Sequence, residues 1–416
     1  MRQKLFYFTD GYPYGTGEKT FVEPELKCFA RRFDVTLVSL AYSELTQDVS
    51  NTSDVPNGIK VVRCGKKLYW LKILLLFFFP LSKSGRREIK RIFKKKTKLI
   101  ERLIDSAVLF SSAKALNIQL KRVGIFEDAD SSIYYTFWFN VATLACSLEK
   151  EKQGNIRIIS RIHGFDLYEE RTLHNWQPFQ ICKAMHVDRI FFLTETAKKY
   201  FISRFVDISS KALINPLGCL PALKMPNQNS KHSFLLLSCS NVIPIKRVEL
   251  IGKAVAYLSD LDIEWIHFGQ GSELEKIRAF VEEHNIKATL YGYKDNSFIR
   301  EYYSEHYIDA FITTSSTEGL PVSIMEALSY GTPIIATRVG GIPEQVDGNG
   351  CLLSEDPSVE EVALAIRKIY NLTPEETLRY RERSLEIWER KYNAVINSNR
   401  TLEEIEKVLI REVEDQ

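Results

Sequence analysis

The chain has 416 residues, 45% hydrophobic and 26% charged, with 56 Lys and Arg against 53 Asp and Glu. This composition excludes a disordered or fibrous chain, and the net charge of +3 is too small to identify a polyanionic partner. The length exceeds what one ordinary core holds, so two domains are expected.

Seven Cys are scattered with no C-x-x-C pair and no metal-ligand spacing. That pattern fits free thiols in a reducing cytoplasm, and no metal site is expected. The opening MRQKLFYFTD runs directly into a strand pattern, so no signal peptide is expected.

Apolar runs alternate with amphipathic helical segments, which predicts α/β doubly wound architecture. In the N-terminal half the strands are expected in KLFYFTD, DVTLVSL, IKVVRC, SIYYTFW, IRIISRI and RIFFLTE. The first leads into GYPYGTGEKT, where Gly15, Gly17 and Glu18 form a flexible turn before a helix. From Arg63 to Lys98 there are thirteen Lys or Arg and one acid, Glu88. The same region holds LYWLKILLLFFFPL, from Leu68 to Leu81, too short to span a bilayer. An apolar segment followed by a polybasic one predicts contact with an anionic membrane surface through about 68–98, the plainer reading being a core helix beside a solvated basic face. No nucleic-acid-binding module accompanies the charge, so no nucleic acid is expected. Asp128 and Asp130 read as a solvated turn. In IRIISRIHGFDLYEE, His163 and Asp166 follow a strand directly, where an imidazole can serve a sugar hydroxyl or developing charge.

The Pro-, Asn- and Ser-rich stretch from Asn215 to Ser233 reads as an interdomain linker. Beyond it strands are expected in FLLLSCS, IEWIHFG, ATLYGY, DAFITTS and PIIAT. After the first, Lys246 and Arg247 stand at a helix start, where the dipole disfavours cations unless an anion lies between. Gly269 and Gly271, between a strand and a helix, let backbone approach a ligand. Tyr293 follows ATLYGY's glycine and reads equally as a core aromatic.

The stretch STEGLPVSIMEALSYGTPIIATRVGGIPE, Ser316 to Glu344, carries the most specific signal. Glu318 sits at a Gly-containing turn. Pro321 suits a first helical turn, and the helix through Val322 and Ser323 stops at Gly331. Glu326, in the middle of this apolar helix, needs a partner because an unpaired buried carboxylate is costly. Free N–H groups at the helix start hold anions. Together these suit a sugar attached to a nucleotide diphosphate.

The order of Glu pair, GLP turn, GTPIIAT strand and GGIPE loop resembles the donor-site signature of retaining glycosyltransferase family 4. The resemblance extends to bacterial capsule, O-antigen and exopolysaccharide enzymes. It implies a GT-B fold: two Rossmann-like domains facing a central cleft, here 1–219 and 220–389, with a helix at about 390–416 packing back on the first. It implies a retaining hexosyltransferase using a nucleotide-diphosphate sugar, UDP- or GDP-linked, with no metal or other cofactor. Catalytic roles fall to His163, Lys246 and Glu318. Donor binding falls to Asn241, Arg247, Gly269, Gly271, Tyr293, Gly319, Leu320, Val322, Ser323 and Glu326. Acceptor binding falls to Gly15, Gly17, Glu18 and Asp166. The family usually has an Arg where Asn241 stands, and Arg247 is expected to compensate. The basic apolar segment favours a lipid-linked or cell-envelope glycan acceptor and a peripheral place on the inner membrane face. A sugar-nucleotide epimerase on the same fold, or a non-catalytic nucleotide-sugar-binding subunit, are the alternatives.

Overall fold

A computed structural model describes residues 2–15, 17–41, 55–64, 69–227 and 233–414. Two compact units emerge. The first is 1–216 with 395–416, and the second is 217–394. The chain leaves the first unit three residues earlier than the expected boundary and rejoins it at Val395.

The first unit is a seven-stranded sheet of β1 (Lys4–Thr9), β2 (Asp34–Ser39), β3 (Lys60–Arg63), β4 (Ser132–Thr136), β5 (Arg157–Ile162), β6 (Arg189–Phe192) and β7 (Ala212–Ile214), in the order β3-β2-β1-β4-β5-β6-β7. Every pair is parallel; Phe6 lies opposite Tyr134 and Ile159 opposite Arg189. Helices cover both faces, so the strands read as continuous apolar runs instead of alternating ones. The order reverses between β1 and β4, the switch point at which open α/β sheets collect ligands.

Four helices matter below: α1 (Lys19–Phe29), α2 (Tyr69–Leu76), α3 (Lys83–Lys94) and α4 (Leu99–Arg122). The apolar run expected to act as one segment is helical only to Leu76. It then turns through Phe77–Ser82, where Ser82 Oγ accepts from Gly85 N at 2.9 Å and caps α3.

The second unit is a six-stranded parallel sheet of β8 (Phe234–Cys239), β9 (Ile263–Phe268), β10 (Ala288–Leu290), β11 (Ala310–Thr313), β12 (Ile334–Thr337) and β13 (Gly350–Leu353), ordered β10-β9-β8-β11-β12-β13. It repeats the switch, here between β8 and β11. Its core packs Leu236, Trp265, Ile312 and Ile335 against helix residues such as Ile251 and Ile366.

The helix Ala394–Glu414 belongs to the first unit. Asn215 Nδ2 donates to the Asn397 carbonyl at 3.0 Å, Arg189 pairs with Glu404 at 3.3 Å, and Ile405 is fully buried. Beneath it Arg161 on β5 donates to Glu25, to the Tyr135 hydroxyl at 3.1 Å, to the Asn215 carbonyl at 2.6 Å and to Thr401 Oγ1 at 3.3 Å. This buried charge is thus paired and fully hydrogen-bonded, which is what burial demands.

Candidate functional site

In the second unit the loops at the carboxyl ends of the strands are tied to one another. The β8 loop ends in a single turn, Pro244–Lys246, followed by the helix Val248–Tyr257. Thr314 Oγ1 donates to the Arg247 carbonyl at 2.9 Å, and Ser316 N to the Ile245 carbonyl at 2.8 Å. The β8 and β11 loops are therefore bonded to each other, and they bring Lys246 to Glu318: Nζ lies 2.5 Å from Oε1. This carboxylate answers the conflict of a cation at a helix start. The Lys246 charge is held by the residue expected to bind sugar hydroxyls.

Arg247 is arranged differently. Its guanidinium pairs with Asp356 at 2.7 Å and donates to the carbonyls of Thr314 at 2.6 Å, Ser315 at 3.1 Å and Glu355 at 2.8 Å. It staples the β11 and β13 loops. Asn241, in the place where an Arg is usual, is exposed on the β8 loop.

Gly269, φ +147°, donates its N–H to the Gly292 carbonyl at 2.9 Å; a Cβ there would lie 1.8 Å from the Ser240 carbonyl oxygen. Val242 N donates to the Gln270 carbonyl at 2.9 Å, and Gly271 packs against Val242. Only glycine allows the β8, β9 and β10 loops to close this tightly. Tyr293 follows, 57% exposed, its hydroxyl 3.1 Å from Asp295, so it stands outside the core.

The helix Val322–Ser329 starts one residue later than expected, with Pro321 as its N-cap in extended conformation. Gly319 and Leu320 form the turn before it. Gly319's carbonyl accepts from Gly341 N at 2.7 Å. Glu326 is buried, and burial pushes its carboxyl up to about 7, against the opposing pull of Asn296 and Arg300. Asn296 Nδ2 donates to it, the partner that the helix position required.

In the first unit, Gly15 donates its N–H to the Gly11 carbonyl at 3.0 Å, Gly17 is exposed, and Thr16 between them lies outside the described residues. Glu18 turns back beneath the same loop. It accepts from the backbone N–H groups of Asp10 at 3.1 Å, Gly11 at 2.7 Å and Tyr12 at 2.7 Å, and from the Trp138 indole. Three converging N–H groups make an anion nest, and Glu18 fills it. His163 lies buried between Phe137 and Trp138, with ring centroids 4.8 and 4.3 Å away. Its Nε2 is 2.9 Å from the Phe137 carbonyl, which only accepts, so that nitrogen carries the proton. Burial first, and Arg161 second, hold the imidazole down at about 3, neutral at physiological pH. Asp166 accepts from His163 N and from Phe139 N, each at 2.6 Å; burial raises its carboxyl and lowers neighbouring Lys183.

A cavity of about 350 Å³ opens beside this turn, lined by Leu109, Phe139, Asn140, Phe165, Asp166 and Leu173 among others. It is apolar with a few convergent polar groups, the usual make-up of a ligand cavity. Sequence reasoning missed this hollow because its wall comes from separate segments. Asp10 was missed too. It follows β1 directly, accepts from Asn140 Nδ2 at 2.7 Å, and is pushed up to about 6 by lost solvation, with Glu18 adding to the rise. Elsewhere Glu151, Cys182 and His186 place ligand-type atoms within 4.8 Å of one another, and the Ser84 hydroxyl bonds to both Glu151 and Cys182. That is a closed hydrogen-bonded group away from the loops above.

Residues 222–385 match the family model of glycosyl transferases group 1. The matched residues lie within the second unit and include Lys246, Glu318 and Glu326. Relatives include the UDP-N-acetylglucosamine–peptide N-acetylglucosaminyltransferase GtfA subunit of Streptococcus agalactiae, 24% identical over 45% of this chain and 38% of its own length. The O-antigen biosynthesis glycosyltransferase WbnH of Escherichia coli is 26% identical over 45% of this chain and 52% of the relative. An uncharacterised glycosyltransferase of Haemophilus influenzae is 24% identical over 75% of this chain and 80% of the relative. The match spans about two fifths of the length of GtfA. Among solved structures, the lipopolysaccharide outer core galactosyltransferase WaaB superposes with a TM-score of 0.67 at 15% identity, covering 97% of this chain and 99% of that one. Anabaena HepE, solved with UDP and glucose, gives 0.67 at 13% identity over 97% and 100%. These structural likenesses establish the fold, two parallel-sheet Rossmann-like domains of the GT-B kind.

Proposed function

We propose that the protein moves a sugar from a nucleotide-diphosphate sugar, UDP- or GDP-linked, to a lipid-linked or cell-envelope glycan on the cytoplasmic side of a membrane, retaining the anomeric configuration. The observation that carries the reading is the Lys246–Glu318 pair, held beside the N-terminus of the helix Val322–Ser329. A donor supplies what each partner lacks: diphosphate oxygens for Lys246 and hydroxyls for Glu318. The helix N–H groups at Val322 and Ser323 take a share of the phosphate charge. Glu326 accepts from a ribose hydroxyl.

In the reaction the bond from the anomeric carbon to the diphosphate oxygen breaks. A bond to the acceptor oxygen forms on the same face. The acceptor proton passes to the departing phosphate oxygen. Lys246 and the helix start stabilise the negative charge that grows there, the role in which fixed charges contribute most. Glu318 grips hydroxyls and is no nucleophile. No metal or cofactor is invoked, because this cation and these N–H groups already face the leaving group. The N-terminal unit is assigned the acceptor, with the cavity beside Asp166 as its seat and the Gly15–Glu18 loop and His163 at the neighbouring strand ends. Support comes from the names of relatives that act in O-antigen synthesis and from HepE, solved with UDP.

The experiment is a panel of radiolabelled UDP- and GDP-sugars incubated with membrane extract. Incorporation by the wild type, lost in Glu318→Ala with the thermal transition intact, is the expected result. Free nucleotide without incorporation would favour the epimerase. Full incorporation by Glu318→Ala would overturn the assignment.

A further inference from the structure

We propose that α2, α3 and the first turns of α4 form a docking face for an anionic phospholipid bilayer. Helix α2 is anchored on one side only. Leu75 and Phe79 are buried, and Phe79 packs on Phe110 and Phe179 at 5.7 and 6.0 Å. The other side is bare. Trp70, Ile73, Leu74, Phe77, Phe78 and Leu81 are all exposed, Trp70 by 87% and Phe77 by 71%. On α4 the exposed residues Ile100, Ile104 and Val108 recur every fourth position, a single stripe along the helix. Six large apolar side chains open to solvent within twelve residues are not scattered surface hydrophobics; a patch of this kind marks an interaction site.

The charge beside the patch chooses the partner. Helix α3 turns its one acid inward: Glu88 is buried, accepting from Phe179 N at 3.0 Å and Arg91 at 3.0 Å. Arg91 is also committed, to Glu169 at 2.8 Å and over the Trp176 ring at 3.8 Å. The charged residues that α3 and the following turn leave exposed are all cationic: Lys83, Arg86, Arg87, Lys90, Lys94, Lys96 and Lys98. Seven cations with no exposed acid between them suit lipid phosphates. They oppose a two-fold pairing of this face with itself, which would bring like charges together. Among the described residues no helix is long and apolar enough to cross a membrane. Helix α2 therefore lies in the interface with its apolar side down, and the basic helix beside it pairs with headgroups.

Helix α4 links this face to the cavity. Asp105 and Leu109 line the hollow, each one residue round the helix from exposed Ile104 and Val108. Docking sets the cavity near the headgroups, where a lipid-linked acceptor arrives. That consequence rests on the proposed transfer; the docking itself does not.

The test is flotation of the full chain with phosphatidylcholine vesicles, with and without phosphatidylglycerol, at low and high salt. Binding to the anionic vesicles that weakens with salt is expected. Lys83→Gln/Arg87→Gln/Lys90→Gln/Lys94→Gln should lower the partition coefficient by about three orders of magnitude. Trp70→Ser/Phe77→Ser should lower it at both salt levels. All six positions are exposed, and unchanged thermal transitions confirm that the variants fold. Equal binding to neutral and anionic vesicles, or none to either, overturns the proposal. So does a dimer in solution that Trp70→Ser/Phe77→Ser converts to monomer. Vesicle binding needs neither donor nor acceptor, so an inactive protein that floats leaves docking standing, and an active one that does not leaves transfer standing.

Discussion

Lys246 Nζ and Glu318 Oε1, 72 positions apart in the chain, meet at 2.5 Å in the second unit. A donor bound as proposed must part them. The side chains are only 19% and 12% exposed, so the donor must supply the contacts that each charge gives up. Lys246→Ala should reduce turnover by about 10²–10³-fold, the range for removing one charge-stabilising group. Glu318→Gln should do the same while leaving the thermal transition in place. The double variant should lose no more than the product-limiting single one, because the two act as a unit. Nucleotide release measured across the four proteins checks this; strictly multiplicative losses would show that they act separately.

Gly340 is a second handle on Glu318. Its φ is +54°, and a Cβ there would stand 2.0 Å from the Glu318 carbonyl oxygen. Gly340→Ala must push the backbone of the Glu318 turn or strain its own, at about 1–3 kcal/mol. Turnover should fall at least tenfold with the fold retained. Wild-type activity in Gly340→Ala would mean that the turn's position is unimportant.

Glu326 offers a pH signature. Its folded carboxyl titrates at about 7 against an ordinary 4.5. A raised folded value means that the native state holds the proton more tightly. This contribution is fully present below pH 4.5 and is lost as pH rises through 7. Glu326→Gln keeps the shape and removes the ionisation. Its stability relative to wild type should therefore grow across that window, by about 3 kcal/mol at pH 8. Urea denaturation of both proteins from pH 4 to pH 8 (at about half-unit steps) reads the difference, and parallel curves would sink the assignment. Nucleotide affinity should fall in the same variant if the carboxylate meets the ribose.

Much of this architecture was legible in the residues. The eleven strand segments expected from apolar runs all became strands, because fully covered parallel strands need unbroken hydrophobicity. β7 and β13 escaped notice: Ala212–Ile214 and Gly350–Leu353 are short edge strands whose pairing partners, not their own composition, define them. The Glu318–Glu326 spacing pointed to the turn and helix that adjoin Lys246, but nothing local to Arg247 shows that its guanidinium is used by three carbonyls and Asp356. The same holds for Glu18, whose nest is built by a loop that folds over it. Exposure was the least legible property of all, since LYWLKILLLFFFPL fits an interfacial segment and a core helix alike by composition, and only packing shows which side of α2 is left bare.

Arg161 carries the last expectation. Its guanidinium joins β5, α1 and the returning helix Ala394–Glu414 through Glu25, the Asn215 carbonyl and Thr401. Both charges are almost wholly buried. Removing one partner leaves the other uncompensated, which costs about 3–5 kcal/mol. Arg161→Met should thus lower unfolding stability by that amount, and Glu25→Gln by somewhat less, because Gln can still accept from Arg161. The loss should be local before it is global. Amide exchange in the helix Ala394–Glu414 should rise ahead of exchange in β8–β13, because that helix depends on Arg161 and the second unit does not. Uniform exchange across both units in Arg161→Met would show that the pair does not hold the returning helix in place.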